Sequence, residues 1–310
     1  MASQPTSRVY SAAHFVLELG ERERVGFLKS VEGGGYKAEH IVYQGGPAHD
    51  VFKQVSKPKL EDIKLQVGMA MSEVFYQWIS AFFAGEVLRK HGAIIAGDFH
   101  YKERARRNFF DALIAEVGFP ALDASNKNPC YMSVTLTPER MEFVRGSGSE
   151  LDATVGTMIQ KLWTASKFRF EIDGLQDACR RIHKVDAFTI KQKILESPAG
   201  LLRYPIRVPG RIEWPNITFQ VPEADADPFI EHFVKHVVQG EPQEAARRGG
   251  IIAFLDHQGF ELAELELRGI DIASVVPEKQ DAGSDDIKSV KVEIAVESME
   301  FVYGDAAQLE

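Results

Sequence analysis

The sequence predicts a mainly β protein of α+β type in which one domain occurs twice in tandem. Several stretches alternate apolar and polar residues with the period of two that indicates a strand with one buried face. The stretch 57–83 changes from this alternation to a helical period, and the same order of elements recurs in the second half. We therefore expect four to six strands and one helix in each half.

The unit that defines the repeat is a strand, a glycine hinge and an aromatic helix. Ile63, Leu65 and Val67 alternate with polar residues, which predicts a strand with one wet face. After Gly68 the period lengthens, and Ser72 marks the start of an amphipathic helix. The predicted core stripe of this helix is Phe75, Trp78, Ile79 and Phe82.

The second half repeats the first in order and in sequence. Residues 297–304 match residues 139–146 at six of eight positions, an offset of 158 residues (297 − 139), whereas Phe15 and Phe168 differ by 153 (168 − 15). The strand 212–221 matches the strand 60–67 in its Ile-x-x-Gln-Val ending. We also align 188–195 with 37–44, and 250–252 with 93–95.

These matches predict four segments. Residues 1–12 form a flexible N-terminal arm, and residues 13–146 form the first domain. The Gly-Ser-Gly-Ser sequence from Gly146 begins a linker that extends, with a short helix, over 147–164. The second domain covers 165–305. A long polar loop, Gly45 to Lys59, interrupts the first domain, and loops of this length are usually functional or mobile.

Composition excludes some classes of function. The 310 residues carry a net charge of −9, and the surplus lies in residues 151–310, with 18 basic and 27 acidic side chains. Such acidity argues against sequence-independent DNA binding. No apolar run spans a membrane and the N-terminus lacks a signal-peptide pattern, so we expect synthesis in the cytoplasm without secretion. The two cysteines, Cys130 and Cys179, are expected to be buried hydrophobes.

No catalytic, cofactor-binding or metal site is predicted. His232 and His236 have a metal-competent spacing, but without an HExxH motif a half-buried helix face is the preferred interpretation. A Walker loop, a GxSxG elbow and a GxGxxG motif are all missing from the sequence. We therefore expect a structural protein rather than an enzyme.

Several segments, taken in their order along the chain, resemble the phage tail tube family. This family includes the tubes of contractile injection systems and is similar to the type VI secretion tube. The resembling segments are HFVLELG, YKAEHIVYQGG, IKLQVGMAMSEVFYQWI with Tyr76, Trp78 and Ile79, FFDALIAEVGFPALDASN, and the strand ending at Phe143. They cover nearly all of 13–146. Residues 165–304 match more weakly, mainly through the first half.

The resemblance implies two tandem β-sandwich or barrel domains, each with a flanking α-helix. Family members form stacked hexameric rings around a channel, so a duplicated chain would close a pseudo-hexameric ring as a homotrimer. Sheath, baseplate and tail terminator proteins are the implied partners, and DNA or cargo would pass through the lumen without specific binding. The implied location is a virion tail or an injection particle, with no membrane association.

Two sets of residues are candidates for assembly roles. Polar strand faces predict a lumen lined by Asp62, Lys64, Gln66, Thr218, Gln220, Glu264, Glu266, Arg268, Lys291 and Glu293. An acidic lumen of this kind would repel phosphate groups. The long loop predicts contacts with the next ring through Gly45, Gly46, Pro47, His49, Asp50, Lys53 and Lys57.

Three alternatives stay open. The chain is the main tube subunit, or it is a tube initiator or baseplate adaptor present as a single ring. It is otherwise a double β-sandwich that binds carbohydrate or protein without assembling. The assembly state of the purified protein distinguishes the three.

Overall fold

The computed structural model describes residues 14–20, 23–44, 51–151, 163–198, 200, 204–240, 248–279 and 288–304. The predicted arm at 1–12 and most of the predicted linker helix lie outside these residues. The predicted mainly β fold with two tandem domains is confirmed. None of the helices in the described part of the chain is both long enough and apolar enough to cross a membrane.

The first half contains ten described strands and one described helix. The strands are β1 (His14–Leu19), β2 (Glu23–Gly33), β3 (Tyr36–Tyr43), β4 (Phe52–Leu60), β5 (Ile63–Val67), β6 (Lys90–Gly97), β7 (Glu103–Phe119), β8 (Leu122–Asp123), β9 (Met132–Thr137) and β10 (Arg140–Arg145), and the helix is α1 (Glu73–Phe83). The second half has the described strands β11 (Phe168–Ile172), β12 (Lys184–Val185), β13 (Phe188–Ser197), β14 (Ile206–Glu213), β15 (Ile217–Pro222), β16 (Arg248–Leu255), β17 (Glu261–Pro277) and β18 (Ser289–Tyr303). Its described helices are α2 (Gln176–Cys179) and α3 (Asp227–Phe233), with a π-helical turn at Val234–Val238.

The first repeat closes into a small barrel. Its strands follow the order β7-β6-β1-β2-β5-β9, and β9 pairs back onto β7. The barrel interior and α1 share one apolar core, in which Phe75, Trp78, Ile79 and Phe82 are all buried. Ser72 occupies the N-cap position of α1, but its side chain makes no capping hydrogen bond.

The second repeat has the same strand order with one gap. Its sheet runs β11-β16-β17-β18-β15-β12-β8, and β12 contains only two residues where the first repeat has the long β2. The short α2 replaces the start of that strand. The last strand of this sheet, β8, comes from the first repeat and pairs with β12, so the two halves share strands.

Strand register shows how closely the repeats correspond. Gly92 pairs with Phe109 and Gly250 pairs with Leu267, so both partners shift by 158 residues (250 − 92 and 267 − 109). The irregularity that follows, Lys90 opposite Ala112, recurs at Arg248 opposite Ile270. The earlier alignment of 93–95 with 250–252 is therefore wrong by one residue.

The hairpins β3–β4 and β13–β14 correspond at an offset of 154. The register slips between Ala38 and His40 in one hairpin and between Gln192 and Ile194 in the other (192 − 38 = 154). The alignment of 188–195 with 37–44 is therefore wrong by three residues. Short repeats of alternating residues fit several registers, and hydrogen-bond pairing decides between them.

The predicted polar loop is largely a strand. Residues 52–60 form β4, which pairs antiparallel with β3. This ladder continues the β2–β5 ladder through a bend, where Gly34 N donates to Asp62 O at 3.1 Å and Glu61 N donates to Gly35 O at 2.9 Å. Gly33 and Gly34 have φ values of 81° and 73°, which favour glycine. Lys53 and Lys57 thus lie on a strand. The sequence did not indicate this strand, because its many polar side chains hide the alternation that a strand normally shows.

A kink in the longest strand recurs in both repeats. Asp111 in β7 has φ 52°, and Gly269 in β17 has φ 68°, again 158 residues later (269 − 111). The two strands therefore bend at the same place although only one of them has glycine there. A left-handed backbone costs about 1 kcal/mol for a residue with a β-carbon, and aspartate is among those that tolerate it best.

This kink generates the first prediction. Gly269→Ala should lower the melting temperature by about 2–5 °C, because alanine is strained at that φ and its β-carbon would lie 2.4 Å from Glu297 Oε2. Asp111→Gly is the matched variant and should not lower it, because the strain is relieved there. Thermal unfolding followed by circular dichroism measures both, and equal effects of the two substitutions would contradict the shared kink.

Candidate assembly surfaces

The second repeat adds a strand to the sheet of the first. The start of β13 pairs antiparallel with the end of β7, with Ile190 opposite Val117 and Lys191 opposite Glu116. Backbone groups at the edge of β7 therefore find partners within the chain instead of in water. This pairing is the described contact that most directly joins the two repeats, and we call it the internal junction.

Aromatic packing supports the internal junction. Phe119 at the end of β7 lies between Phe188 and Phe254, with ring centroids 5.3 Å and 5.2 Å away. Ile190 and Val117 beside them are fully buried. Stacked aromatic pairs contribute about 0.5–1.5 kcal/mol beyond area burial, so this cluster is a strong apolar anchor.

A buried arginine fixes the other strand of the β13–β14 hairpin. Arg207 Nη1 lies 2.6 Å from Asp62 Oδ1, and its Nη2 donates to the carbonyl oxygen of Leu60 at 3.1 Å. The backbone N–H of Arg207 also donates to Glu139 Oε1 at 2.8 Å. Asp62, a predicted lumen residue, therefore serves to hold the two repeats together. Arg207 carries no signal of this role in the sequence, because Leu60, Asp62 and Glu139 lie far from it along the chain.

The helix of the first repeat crosses onto the second. Tyr76 and Phe83 in α1 have ring centroids 6.2 Å and 5.8 Å from that of Phe301 in β18. Ser80 Oγ donates to the carbonyl oxygen of Phe301 at 3.1 Å. Phe301 is buried as a result. It belongs to the repeated segment 297–304. The repeat in the sequence therefore marked this position, but it did not show that the side chain contacts α1.

Some predicted lumen residues form a row across the junction. In the register of the sheet, Lys64 lies opposite Thr135, and Thr135 lies opposite Glu116. Glu116 Oε1 forms an ion pair with Lys191 Nζ at 3.3 Å. This polar row crosses from the first repeat to the second, and Gln66 lies on the same exposed face of β5 as Lys64.

The second repeat carries a corresponding row. Thr218 lies opposite Glu293, and Glu293 lies opposite Ser274. Lys291 on the same strand pairs with Asp186 at 3.2 Å. Gln220 is different, because it is buried and donates to Glu278 Oε1 at 3.0 Å. Its predicted exposure to water is therefore wrong, since a neighbouring strand end covers it.

The remaining lumen candidates lie beyond the kink of β17. Arg268 Nη2 lies 3.1 Å from Glu266 Oε2 and also pairs with Glu300. Glu264 has a raised pKa of about 7, mainly because burial disfavours its charge, with Glu261 and Glu266 adding repulsion. The equivalent position in the first repeat is Arg106, 158 residues earlier, whose Nη1 pairs with Glu18 Oε2 at 2.6 Å. The repeats thus differ by a charge reversal.

The β3–β4 hairpin carries apolar side chains into solvent. Tyr43 and Phe52 stack with ring centroids 5.3 Å apart, yet both are exposed, and so are Ile41, Val42 and Val55. Lys53 and Lys57 are exposed on the same hairpin. The other predicted loop residues, Gly45, Gly46, Pro47, His49 and Asp50, lie outside the described residues. Exposed apolar groups concentrated on one hairpin indicate a contact surface.

Metal-binding clusters of three or more histidine, cysteine or acidic groups are missing from the described part of the chain. The rings of His232 and His236 lie 4.5 Å apart between centroids. Burial is the main cause that lowers the pKa of His232 to about 4. His232 is therefore neutral at pH 7 and packs against the ring of His236.

The arginine contact predicts a local loss of stability. Arg207→Met should lower the free energy of unfolding by about 1–3 kcal/mol, because charged hydrogen bonds are lost and their acceptors stay partly buried. Lys53→Met, at the equivalent exposed position of the other hairpin, should change it by less than about 0.5 kcal/mol. Urea unfolding of the unassembled chain compares them, and equal losses would contradict the assigned contact.

The charge reversal predicts a pH effect. Because the pKa of Glu264 is raised to about 7 from 4.5, the folded chain holds an extra proton between these values, and its stability falls as pH rises through that window. Glu264→Gln should flatten this part of the profile. Glu264→Arg, which imitates Arg106, should also raise stability above pH 7. Melting temperatures between pH 4.5 and 8 test this, and an unchanged slope in both variants would refute it.

Comparison with known proteins places the chain in a family. The profile of the T4-like virus tail tube protein gp19 family matches residues 11–142 and again residues 164–305. No curated protein sequence matches the chain.

Solved structures show a limited likeness to about half of the chain. A chain of an extracellular contractile injection system, the PVC sheath-tube complex in the extended state, is 20% identical with a TM-score of 0.40, over 45% of this chain and 94% of that one.

Two other structures are similar to part of the chain. The tube terminating cap of the anti-feeding prophage is 20% identical with a TM-score of 0.41, over 47% of this chain and 97% of that one. The Hcp1 protein from E. coli EAEC 042 is 14% identical with a TM-score of 0.27, over 46% and 94%. The family profile covers most of the chain in two successive copies. The chain therefore belongs to the T4-like virus tail tube protein gp19 family, with the tube domain present twice.

Proposed function

We propose that this protein is the main tube subunit of a phage tail or of a contractile injection particle. Three chains supply six tube domains and close into one pseudo-hexameric ring, and the rings stack into a tube. The observation that carries the proposal is the internal junction, in which one tube domain extends the sheet of the other. Domains joined side by side in this way form a wall, and a wall of six repeats closes around a channel.

The channel is proposed to be lined by the polar rows. Lys64, Thr135 and Glu116 continue to Lys191 across the junction, and the acidic Glu116 lies between two basic groups and pairs with Lys191. Paired charges leave little attraction for phosphate groups or for charged protein surfaces. DNA or a protein cargo would therefore pass without specific binding, and the role is structural rather than catalytic.

Stacking of rings is proposed to use the two hairpins. The β3–β4 hairpin presents exposed Tyr43 and Phe52, and the β13–β14 hairpin presents exposed Leu195 and Val208. A sheath, a baseplate and a terminator would contact the tube in the particle. Because the two hairpins differ in side chains, adjacent rings would meet through two alternating kinds of contact.

A second candidate is an adaptor ring between unlike parts of the particle. The difference between the hairpins favours it, because an adaptor has to present different surfaces. A protein that binds a ligand as a monomer is the third candidate. A monomeric binding function would not account for the exposed apolar hairpin or for the strand that one repeat adds to the other.

Electron microscopy of the purified protein tests these candidates. The tube proposal predicts rings with threefold symmetry and six lobes, and stacks of many rings at high protein concentration. Single rings that never stack would favour the adaptor. A monodisperse monomer by light scattering at high concentration would contradict both assembly proposals.

A further inference from the structure

We infer that the contact between two chains copies the internal junction. In this arrangement β3 of one chain pairs with β17 of the next, and α3 of that next chain covers Phe143 of the first. We call this the external junction. The inference rests on the ring proposed above, and it specifies which strands, which register and which side chains join the chains.

The register follows from the two offsets. The internal junction pairs Ile190 with Val117 and Lys191 with Glu116. Subtracting 154 from the β13 positions and adding 158 to the β7 positions gives Tyr36 opposite Val275 and Lys37 opposite Ser274. Both offsets stay constant on either side of the register irregularities, so each residue of the internal junction has a defined equivalent in the external junction.

The strand edge of the external junction is open in the single chain. In the internal junction, β6 pairs with β7 as far as Ala112, and β13 takes over the same edge beyond it. In the second repeat, β16 pairs with β17 as far as Ile270. Within the described residues, the stretch Ser274–Pro277 has only β18 as a strand partner. An open edge next to partly buried Val275 is a surface for strand addition.

Exposure differs between equivalent residues in the way that a missing partner predicts. Phe301 is 2% exposed beneath α1, whereas its equivalent Phe143 is 58% exposed. In the covering helix α1, Phe83 is 5% exposed, whereas its equivalent Val237, in the π-helical turn after α3, is 51% exposed. Ile230, the equivalent of buried Tyr76, is also exposed. The second repeat therefore leaves exposed the apolar positions that α1 uses in the first repeat to cover Phe301.

Charge adds specificity to the external junction. Lys191 pairs with Glu116 inside the chain, but the position equivalent to Glu116 is Ser274. The carboxylate has moved one strand away, to Glu293, whose Oε2 accepts from Ser274 Oγ at 3.3 Å. Lys37, an exposed side chain paired with Glu61 in the single chain, can reach Glu293 across Ser274. The two junctions thus share geometry and differ in their ion pair.

The proposed arrangement is directional. Each chain offers β3 and Phe143 at one end, and β17 and α3 at the other. These surfaces are unlike, so chains join head to tail. The ring of three chains proposed above has six such steps, so it requires the internal and the external junction each to turn by about one sixth of a circle.

Engineered disulfides test the register. The pair Lys37→Cys and Ser274→Cys should link chains in the assembled protein under mild oxidation, because directly opposite residues have Cα atoms about 4.5–5.5 Å apart. Denaturing electrophoresis should then show covalent dimers and trimers. Lys37→Cys with Val276→Cys is the matched control, and its diagonal Cα separation of about 7–8 Å is too long for a disulfide. The native cysteines are buried.

Lys191→Cys with Glu116→Cys is the positive control, and it should close a disulfide inside one chain without linking chains. Rings that form in the microscope but link equally through positions 274 and 276, or through neither, would overturn the inference and leave the ring proposal intact. Absence of rings from the wild-type chain would overturn both.

Substitution of Phe143 tests the helix contact. Phe143→Asp should abolish ring formation while the single chain keeps its melting temperature, because this side chain is exposed before assembly. Phe260→Asp, at another exposed phenylalanine whose equivalent Lys102 is also exposed, should leave rings intact. Lys37→Glu should weaken assembly at least tenfold, and adding Glu293→Lys should restore part of it. Normal rings in the Phe143→Asp variant would contradict the proposed contact.

Discussion

The structure depends on the requirement that backbone groups at the edge of a sheet find partners. The end of β7 extends past β6, and β13 from the other repeat supplies the hydrogen-bond partners for its backbone there. Phe119, Phe188 and Phe254 then fill the space behind the paired strands. Because this solution comes from the second copy of the same domain, it leaves the equivalent edge of the second copy, in β17, without such a strand.

Duplication converts a contact between domains into a property of one chain. In the proposed six-domain ring, half of the contacts between domains would be covalently linked, so they would form at a high effective concentration and would be free to diverge from the other half. The charge reversal between Arg106 and Glu264 and the shift of an acidic group from Glu116 to Glu293 illustrate this divergence. The strand registers, including their irregularities, have stayed the same.

The fold class, the tandem repeat and the buried stripe of α1 were predictable, because they are written in local periodicity and in a repeated octapeptide. The β3–β4 hairpin was not, since Lys53 and Lys57 give a strand the polarity of a loop. Gln220 was misjudged because burial by a distant strand end leaves no local signal. Arg207 and Phe301 could not be recognised as contact residues, since Arg207 contacts Leu60 and Asp62 and Phe301 contacts α1, all more than one hundred residues away in sequence. Domain boundaries at 146 and 165 remain a prediction.

Hydrogen exchange of backbone amides, compared between the unassembled chain and the assembled ring, tests the central claim most directly. Amides of β13 and of the end of β7 should be protected in both states, because their pairing is internal. Among the amides at 36–37 and 274–276, those that point away from the neighbouring strands β4 and β18 should exchange fast in the single chain and become equally protected on assembly. Assembled rings in which these amides still exchange fast would show that chains join through other surfaces.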